Sequence, residues 1–247
     1  MLRCEDTRVS RDAFQLGPVN AVAAAGEVTA VIGPNASGKT TLLEAVAGVA
    51  APSQGVVMLE DRNVHQLSAA ERASRVSMLP QRPASDVGLT VERLVELGRL
   101  QLSRRPEAVD TALGMFELDA IRHRPVCTLS VGQAQRVHLA RLWAQRDNHS
   151  LLVLDEPTAP LDHRWSDVVW DLLSHHARGG GSVVVAVHDL AVAAARADAV
   201  WLIKGGSVTH AGPVGEVMHL DILGAVFEAS FEWVVRRDGT RWLVRGS

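Results

Sequence analysis

Eight consecutive residues, Gly33-Pro34-Asn35-Ala36-Ser37-Gly38-Lys39-Thr40, set two glycines, a lysine and a hydroxyl at the spacing of a loop that cradles phosphate. Glycines let backbone N–H groups converge on phosphate oxygens, and a helix opening behind the loop adds its positive N-terminal dipole. Lys39 then supplies a cation between terminal phosphates, and Thr40 a hydroxyl for a magnesium ion. Lys39 and Lys204 are the lysines among 25 Lys and Arg residues. The loop thus keeps a compact ammonium at a position where a planar guanidinium fits poorly.

A second set lies at Leu151-Leu152-Val153-Leu154-Asp155-Glu156-Pro157, an apolar run ending in two carboxylates. Read as a buried strand, it delivers both acids at its C-terminal end, where ligands collect in open α/β sheets. Adjacent strand residues point opposite ways, so Asp155 is expected to face magnesium while Glu156 reaches another side of the phosphate and orients water. A general base so placed contributes roughly 10²- to 10⁴-fold to a rate.

The elements that must hold these residues are legible in outline. Val28 to Ile32 is short, β-branched and closed by Gly33, which predicts a fully buried strand feeding the loop, and Thr40 to Val49 predicts the helix behind it. Leu151 to Leu154, Val183 to Val187 and Ala199 to Ile203 repeat the strand pattern with helical segments between them, which predicts a parallel sheet covered on both faces. From about Pro83 to Gln145 the signals are helical. Thr90 caps Val91 to Leu97, Pro106 suits a first helical turn, and Val109, Leu113 and Phe116 share one face. Ser130-Val131-Gly132-Gln133 has capping-box spacing ahead of Val137 to Trp143. Trp233-Val234-Val235 and Trp242-Leu243-Val244 flank an Asp238-Gly239 turn signal, which predicts a terminal hairpin, and Gly179-Gly180-Gly181 reads as a flexible joint.

With Leu129-Ser130-Val131-Gly132-Gln133 added, the motifs from about Gly26 to Gly212 resemble those of ABC transporter ATPases, in the same order. The phosphate loop is followed by Gln81 in Leu79-Pro80-Gln81-Arg82-Pro83, the signature at Ser130, the acidic strand, Ala159-Pro160-Leu161-Asp162, and His188 in Val187-His188-Asp189. The resemblance implies an α/β fold: a RecA-like P-loop NTPase core with a mainly parallel sheet, an N-terminal antiparallel β part and an inserted α-helical subdomain. One domain, 1–247, would comprise a core of 1–82 and 146–247 and a helical subdomain of 83–145. It further implies ATP and Mg²⁺ as ligands. Gly33, Pro34, Asn35, Ala36, Ser37, Gly38, Lys39, Thr40 and Thr41 would hold nucleotide, and Thr40, Gln81 and Asp155 the metal. Glu156, His188, Lys39 and Gln81 would be catalytic. Ser130, Gly132 and Gln133 would act in trans on nucleotide held by a second copy, with Asp162 at that interface.

Leu79 to Pro83 followed by Gly88-Leu89-Thr90-Val91-Glu92-Arg93-Leu94-Val95-Glu96-Leu97-Gly98-Arg99 resembles the ATPases of importers for iron-siderophores, haem and vitamin B12. That implies a separate membrane permease docking near Gln81 and the helical lobe, an external solute-binding protein that selects cargo, and a place on the cytoplasmic face of the membrane. The short segment after the core predicts none of the extra regulatory domain that some importer ATPases carry. The alternatives are a non-transport ABC ATPase and a regulatory ATP-binding subunit with weak turnover. The latter is motivated by Val131, which stands where the family usually has glycine; a β-branched residue resists φ > 0 and holds backbones apart. The chain has no tyrosine, so adenine would stack on Arg8, Arg11 or Phe14.

Composition agrees. A net charge of −3 gives no global basic field and so no support for nucleic acid as a partner. Two cysteines, Cys4 and Cys127, cannot build a disulfide framework and predict a reducing compartment. The most apolar stretch, Val183 to Ile203, is interrupted by His188, Asp189, Arg196 and Asp198, which argues against a membrane span. Met1 to Asp6 has no apolar h-region, so no secretory signal is expected.

Overall fold

The computed structural model describes residues 1–247 except 12, 83–87, 104, 236–238, 240 and 247. Its central sheet has six strands in the order β10-β9-β3-β8-β7-β6. These are β3 (Val28–Ile32), β6 (Val76–Leu79), β7 (Leu151–Asp155), β8 (Ser182–Ala186), β9 (Ala199–Lys204) and β10 (Ser207–Pro213). The first five run parallel, and β10 is an antiparallel edge. Every residue of β3, β7 and β8 is buried, as the continuous apolar runs require of strands covered on both faces.

Alternation within those strands divides the interior in two. Val28, Ala30, Ile32, Leu152, Leu154, Val183 and Val185 point into the larger core, while Val31, Leu151, Val153, Val184 and Ala186 point into the smaller. The smaller core is closed by α1 (Lys39–Val46) and by a four-stranded antiparallel sheet, β2-β1-β4-β5, formed by β1 (Leu2–Arg11), β2 (Phe14–Ala23), β4 (Gln54–Leu59) and β5 (Arg62–Asn63). In β1, Leu2, Cys4, Thr7 and Val9 are buried, with register shifts between them. A helix not foreseen in the sequence, α2 (Ala69–Arg75), leads into β6. Ser68 and Glu71 form its capping box.

The larger core is shared with the helical lobe. Here α3 (Val91–Leu97) is capped by Thr90, whose Oγ1 accepts the Arg93 N–H at 3.3 Å. Pro106 opens α4 (Pro106–Met115), and Val109, Leu113 and Phe116 are buried together. The long α5 (Val131–Gln145) runs out of this lobe to the sheet, and Gln145 Nε2 donates to the carbonyls of Ala73 and Val76 at 3.1 and 3.0 Å. The same core takes α6 (His163–Arg178), α7 (Leu190–Arg196), α8 (Val214–Val217) and α9 (Leu220–Phe227). The chain ends in a hairpin of β11 (Phe231–Val235) and β12 (Arg241–Arg245), with Trp233 opposite Leu243. Asp238 of the expected turn lies outside the described residues. Among the described residues no helix is long and apolar enough to cross a membrane.

The triple glycine is not a flexible joint. Gly181 N–H donates to His176 O, and Gly181 O accepts the Gly26 N–H at 2.7 Å. A Cβ on Gly181 would stand 2.2 Å from His176 Nε2. His176 is 3% exposed, donates from Nε2 to Ser150 O at 2.8 Å and meets the Trp143 ring edge-on. The glycines therefore let α6 turn tightly into β8 over a buried imidazole. Gly181→Ala should cost about 1–3 kcal/mol in urea denaturation, the range for overpacking a fixed site. Burial pushes the His176 pKa below its ordinary value, so the unfolded chain binds protons that the folded chain refuses. Stability from this residue is complete above the unfolded pKa of about 6.5 and is lost as pH falls through it. Urea midpoints compared at about pH 7.5 and about pH 5.5 should therefore fall less in His176→Asn than in the parent.

Candidate functional site

The loop after β3 can bend as it does because Gly33 carries no side chain: a Cβ there would lie 2.1 Å from the Ile203 carbonyl of β9. Ala36 at φ 58° and Gly38 at φ 106° turn the backbone left-handed, and the helix α1 opens directly after at Lys39. Successive N–H groups can thus face one concavity. Lys39 is 8% exposed, and its Nζ donates to the carbonyls of Gly33 and Pro34 at 2.9 and 3.1 Å. Burial holds the Lys39 pKa below the ordinary lysine range, against the pull of Glu156 and Asp155.

The acidic tip of β7 meets this loop. Thr40 Oγ1 donates to Asp155 Oδ2 at 2.6 Å. Asp155 is 2% exposed, and burial pushes its carboxyl above the ordinary range while the Thr40 hydrogen bond opposes the rise. Glu156 departs to another side, as expected, but for a different reason. The strand ends at Asp155, and Glu156 is left-handed at φ 49°, so a turn directs it away. Its Oε2 accepts from Gln81 Nε2 at 3.1 Å. Gln81 therefore bonds to the acid expected to be the base, and Thr40 to the acid expected to hold metal. Pro83 of the Gln81 segment lies outside the described residues.

A cavity of about 800 Å³ is lined by Arg11, Phe14, residues 35–41, Gln81, Glu156 and His188. His188 follows β8 and is exposed, with Asp189 capping α7 through hydrogen bonds from the N–H groups of Ala191 and Val192. Of the three residues expected to stack on adenine, Arg11 and Phe14 line this cavity and Arg8 does not. Arg11 is paired with Glu44 at 2.6 Å, whereas the Phe14 ring lies so close to Gly38 that a Cβ there would meet Cζ at 2.7 Å.

The remaining expected residues lie elsewhere. Ser130 caps α5: its Oγ accepts the Gln133 N–H at 3.3 Å, and its own N–H donates to Gln133 Oε1 at 3.1 Å. Asp162 caps α6, accepting the Trp165 N–H at 2.9 Å. None of Ser130, Gly132, Gln133 and Asp162 lines the phosphate cavity. Val131 corrects one expectation. It is the first residue of α5 and is not among the residues with positive φ, so valine here resists nothing the backbone asks of it. Its side chain is 75% exposed. One contact was not read in the sequence: Gln135 Nε2 donates to Pro157 O at 2.8 Å, tying α5 to the residue after Glu156. Nothing in residue type alone distinguishes this glutamine from a helix-surface residue.

Thr40, Gln81 and Asp155 offer a hydroxyl, an amide oxygen and a carboxylate, a hard oxygen set that suits magnesium when phosphate oxygens complete the shell. Among the described residues there is no cluster of three His, Cys, Asp or Glu that could hold a metal unaided.

A family model described as "ABC transporter" matches residues 16–159, which is more than half of the chain. The chain belongs to the ABC transporter family. This ABC ATPase is 41% identical to the hemin import ATP-binding protein HmuV of Streptomyces coelicolor, over 84% of this chain and 76% of that protein. It is 39% identical to the protein of the same name from Pseudomonas fluorescens, over 92% of each. A metal-chelate type ABC transporter solved in an inward-facing conformation superposes with a TM-score of 0.82, covering 100% of this chain and 97% of that one at 23% identity. That likeness speaks for the P-loop NTPase fold.

Phe14→Ala should weaken ATP binding by this ABC ATPase about tenfold, the loss of one stacked ring. Arg8→Ala should leave it unchanged. Titration with a fluorescent ATP analogue, competed by ATP, reads both.

Proposed function

We propose that this chain binds Mg-ATP in the cavity behind Gly33–Thr41 and hydrolyses it to drive an importer for haem or a similar iron chelate. The observation that carries the reading is that one cavity gathers the phosphate loop, the Thr40–Asp155 contact, the Gln81–Glu156 contact and His188. The names of the 41% and 39% identical relatives supply the cargo class.

Each side chain then has a task. The backbone amides from Asn35 to Lys39 and the N-terminus of α1 receive the β- and γ-phosphates. The Lys39 ammonium, held beside the loop by two carbonyls, bridges those phosphates. Thr40, Asp155 and Gln81 would hold magnesium, which would supply charge neutralisation at the phosphates. Glu156 accepts the proton of the attacking water, Gln81 fixes the carboxylate that does so, and His188 contacts the terminal phosphate.

Ser130, Gly132 and Gln133 present the N-terminus of α5 to nucleotide held by a second copy, and Asp162 lies at that interface. The exposure of Ser130 and Val131 supports a role in trans. A permease docks near Gln81 and the helical lobe, a solute-binding protein feeds it from outside, and the chain works at the cytoplasmic face of the membrane. Of the two grounds for weak turnover, the helical φ of Val131 removes the first, resistance to a positive φ.

Lys39→Ala should abolish turnover of ATP by the purified protein. Glu156→Gln should cut the rate by about 10²- to 10⁴-fold while ATP binding survives and an ATP-bound dimer accumulates in size-exclusion chromatography. Retention of the parent rate by Glu156→Gln would remove the base. Val131→Gly should leave turnover within about twofold, because it relieves no strained φ. A large gain would restore the case for a hindering valine.

A further inference from the structure

The described contacts leave the His188 side chain to be placed by its backbone alone. It is exposed, and among the described residues no side-chain hydrogen bond or ion pair holds its imidazole. On one side Val187 N–H donates to Val31 O at 3.0 Å and anchors the end of β8. On the other side the chain enters α7 at once, through the Asp189 cap. Whatever fixes α7 therefore fixes His188.

That helix has little grip of its own. It spans seven residues, Leu-Ala-Val-Ala-Ala-Ala-Arg, and four of them are alanine. Its C-terminal end is tied by Arg196 to Asp167 and Asp171 of α6, at 2.5 and 2.9 Å. Its outer side is covered by the terminal hairpin, because β12 packs on α7 and Leu243 is buried in the same core as Val187, Ala191 and Ala193. The neighbouring Trp242 faces a cavity of about 710 Å³ whose walls include Val192, Ala195 and Arg196 of α7 as well as Glu156 and His188. The hairpin is stiffened by Arg241, whose guanidinium lies over the Trp233 ring at 5.1 Å.

We infer that Trp242 is a positioning residue for the ATPase reaction, acting through α7 to hold the His188 imidazole at the terminal phosphate. The inference rests on the role of His188 given above. A large flat side chain suits this task, since it packs against the shared core beside the small residues of α7 and walls the cavity that they border. Misplacing a reacting group by about 1 Å can cost up to about 100-fold, so a partial release of α7 is felt in the chemical step and not in ATP affinity.

The test uses the purified full chain and its steady-state turnover of Mg-ATP, with circular dichroism and thermal unfolding as controls of folding. Trp242→Ala should lower kcat about tenfold and leave KM for ATP within about twofold, and Trp242→Phe should recover most of the loss. Combined with His188→Ala, Trp242→Ala should add nothing to the loss caused by His188→Ala alone, since both remove one function. Unchanged kcat in a folded Trp242→Ala protein, or losses that multiply in the double variant, would overturn the positioning role. Parent turnover by His188→Ala would instead overturn the role of His188 itself. Should Trp242→Ala fail to fold, Arg196→Gln releases the exposed end of the same helix and must show the same split between kcat and KM and the same non-additivity.

Discussion

Asp155 is almost wholly removed from water, and among the described residues its carboxylate is held by the hydroxyl of Thr40 on the first turn of α1. An isolated buried carboxylate is costly, so the hydrogen bond must form for the strand and the loop to coexist. That contact joins the end of β7 to the first turn of α1. Lys39 follows the same rule, its buried ammonium held by the carbonyls of Gly33 and Pro34, while the half-buried Glu156 carboxylate is held by Gln81. The two buried charges, Lys39 and Asp155, are thus positioned by the groups that relieve their burial.

The sheet makes this arrangement possible by splitting its side chains between two cores. Because β3, β7 and β8 alternate Val, Leu and Ala to opposite faces, their backbones are clamped from both sides and their C-terminal ends cannot drift. The phosphate loop, the acidic pair and His188 gather at those ends, and Gln81 joins them from the end of the neighbouring β6. The loop that follows β3, the acids at and just after the end of β7 and the histidine that follows β8 are delivered side by side because the three strands are neighbours in the order β3-β8-β7.

The helical lobe is joined to that sheet through α5, whose N-terminus carries the signature residues and whose C-terminus donates to the residues leading into β6. Gln135, midway, bonds to the residue after Glu156. One helix therefore links the exposed Ser130 cap to the residue after the acidic tip.

Much of this was legible in the order of residues. The strands at Val28, Leu151, Val183 and Ala199, the caps at Thr90 and Ser130, and the paired tryptophan strands at the end all follow from local rules: apolar runs of strand length, a hydroxyl three residues before a matching donor, a turn between β-branched segments. Phosphate-loop chemistry was legible for the same reason, since it depends on residues adjacent in the chain. What tertiary structure alone decided were the relations between distant segments. Glu156 points away from Asp155 because a left-handed turn follows the strand; Val131 is harmless because its position is helical; the triple glycine is a packed turn because His176 lies beneath it. Strands β6 and β10, helix α2 and the Gln135 contact went unread, being short or polar elements whose stability comes from neighbours. A sequence states which residues can bend, bond or be buried, but which partner each one meets is set only when the two cores close and every buried polar group must find its match.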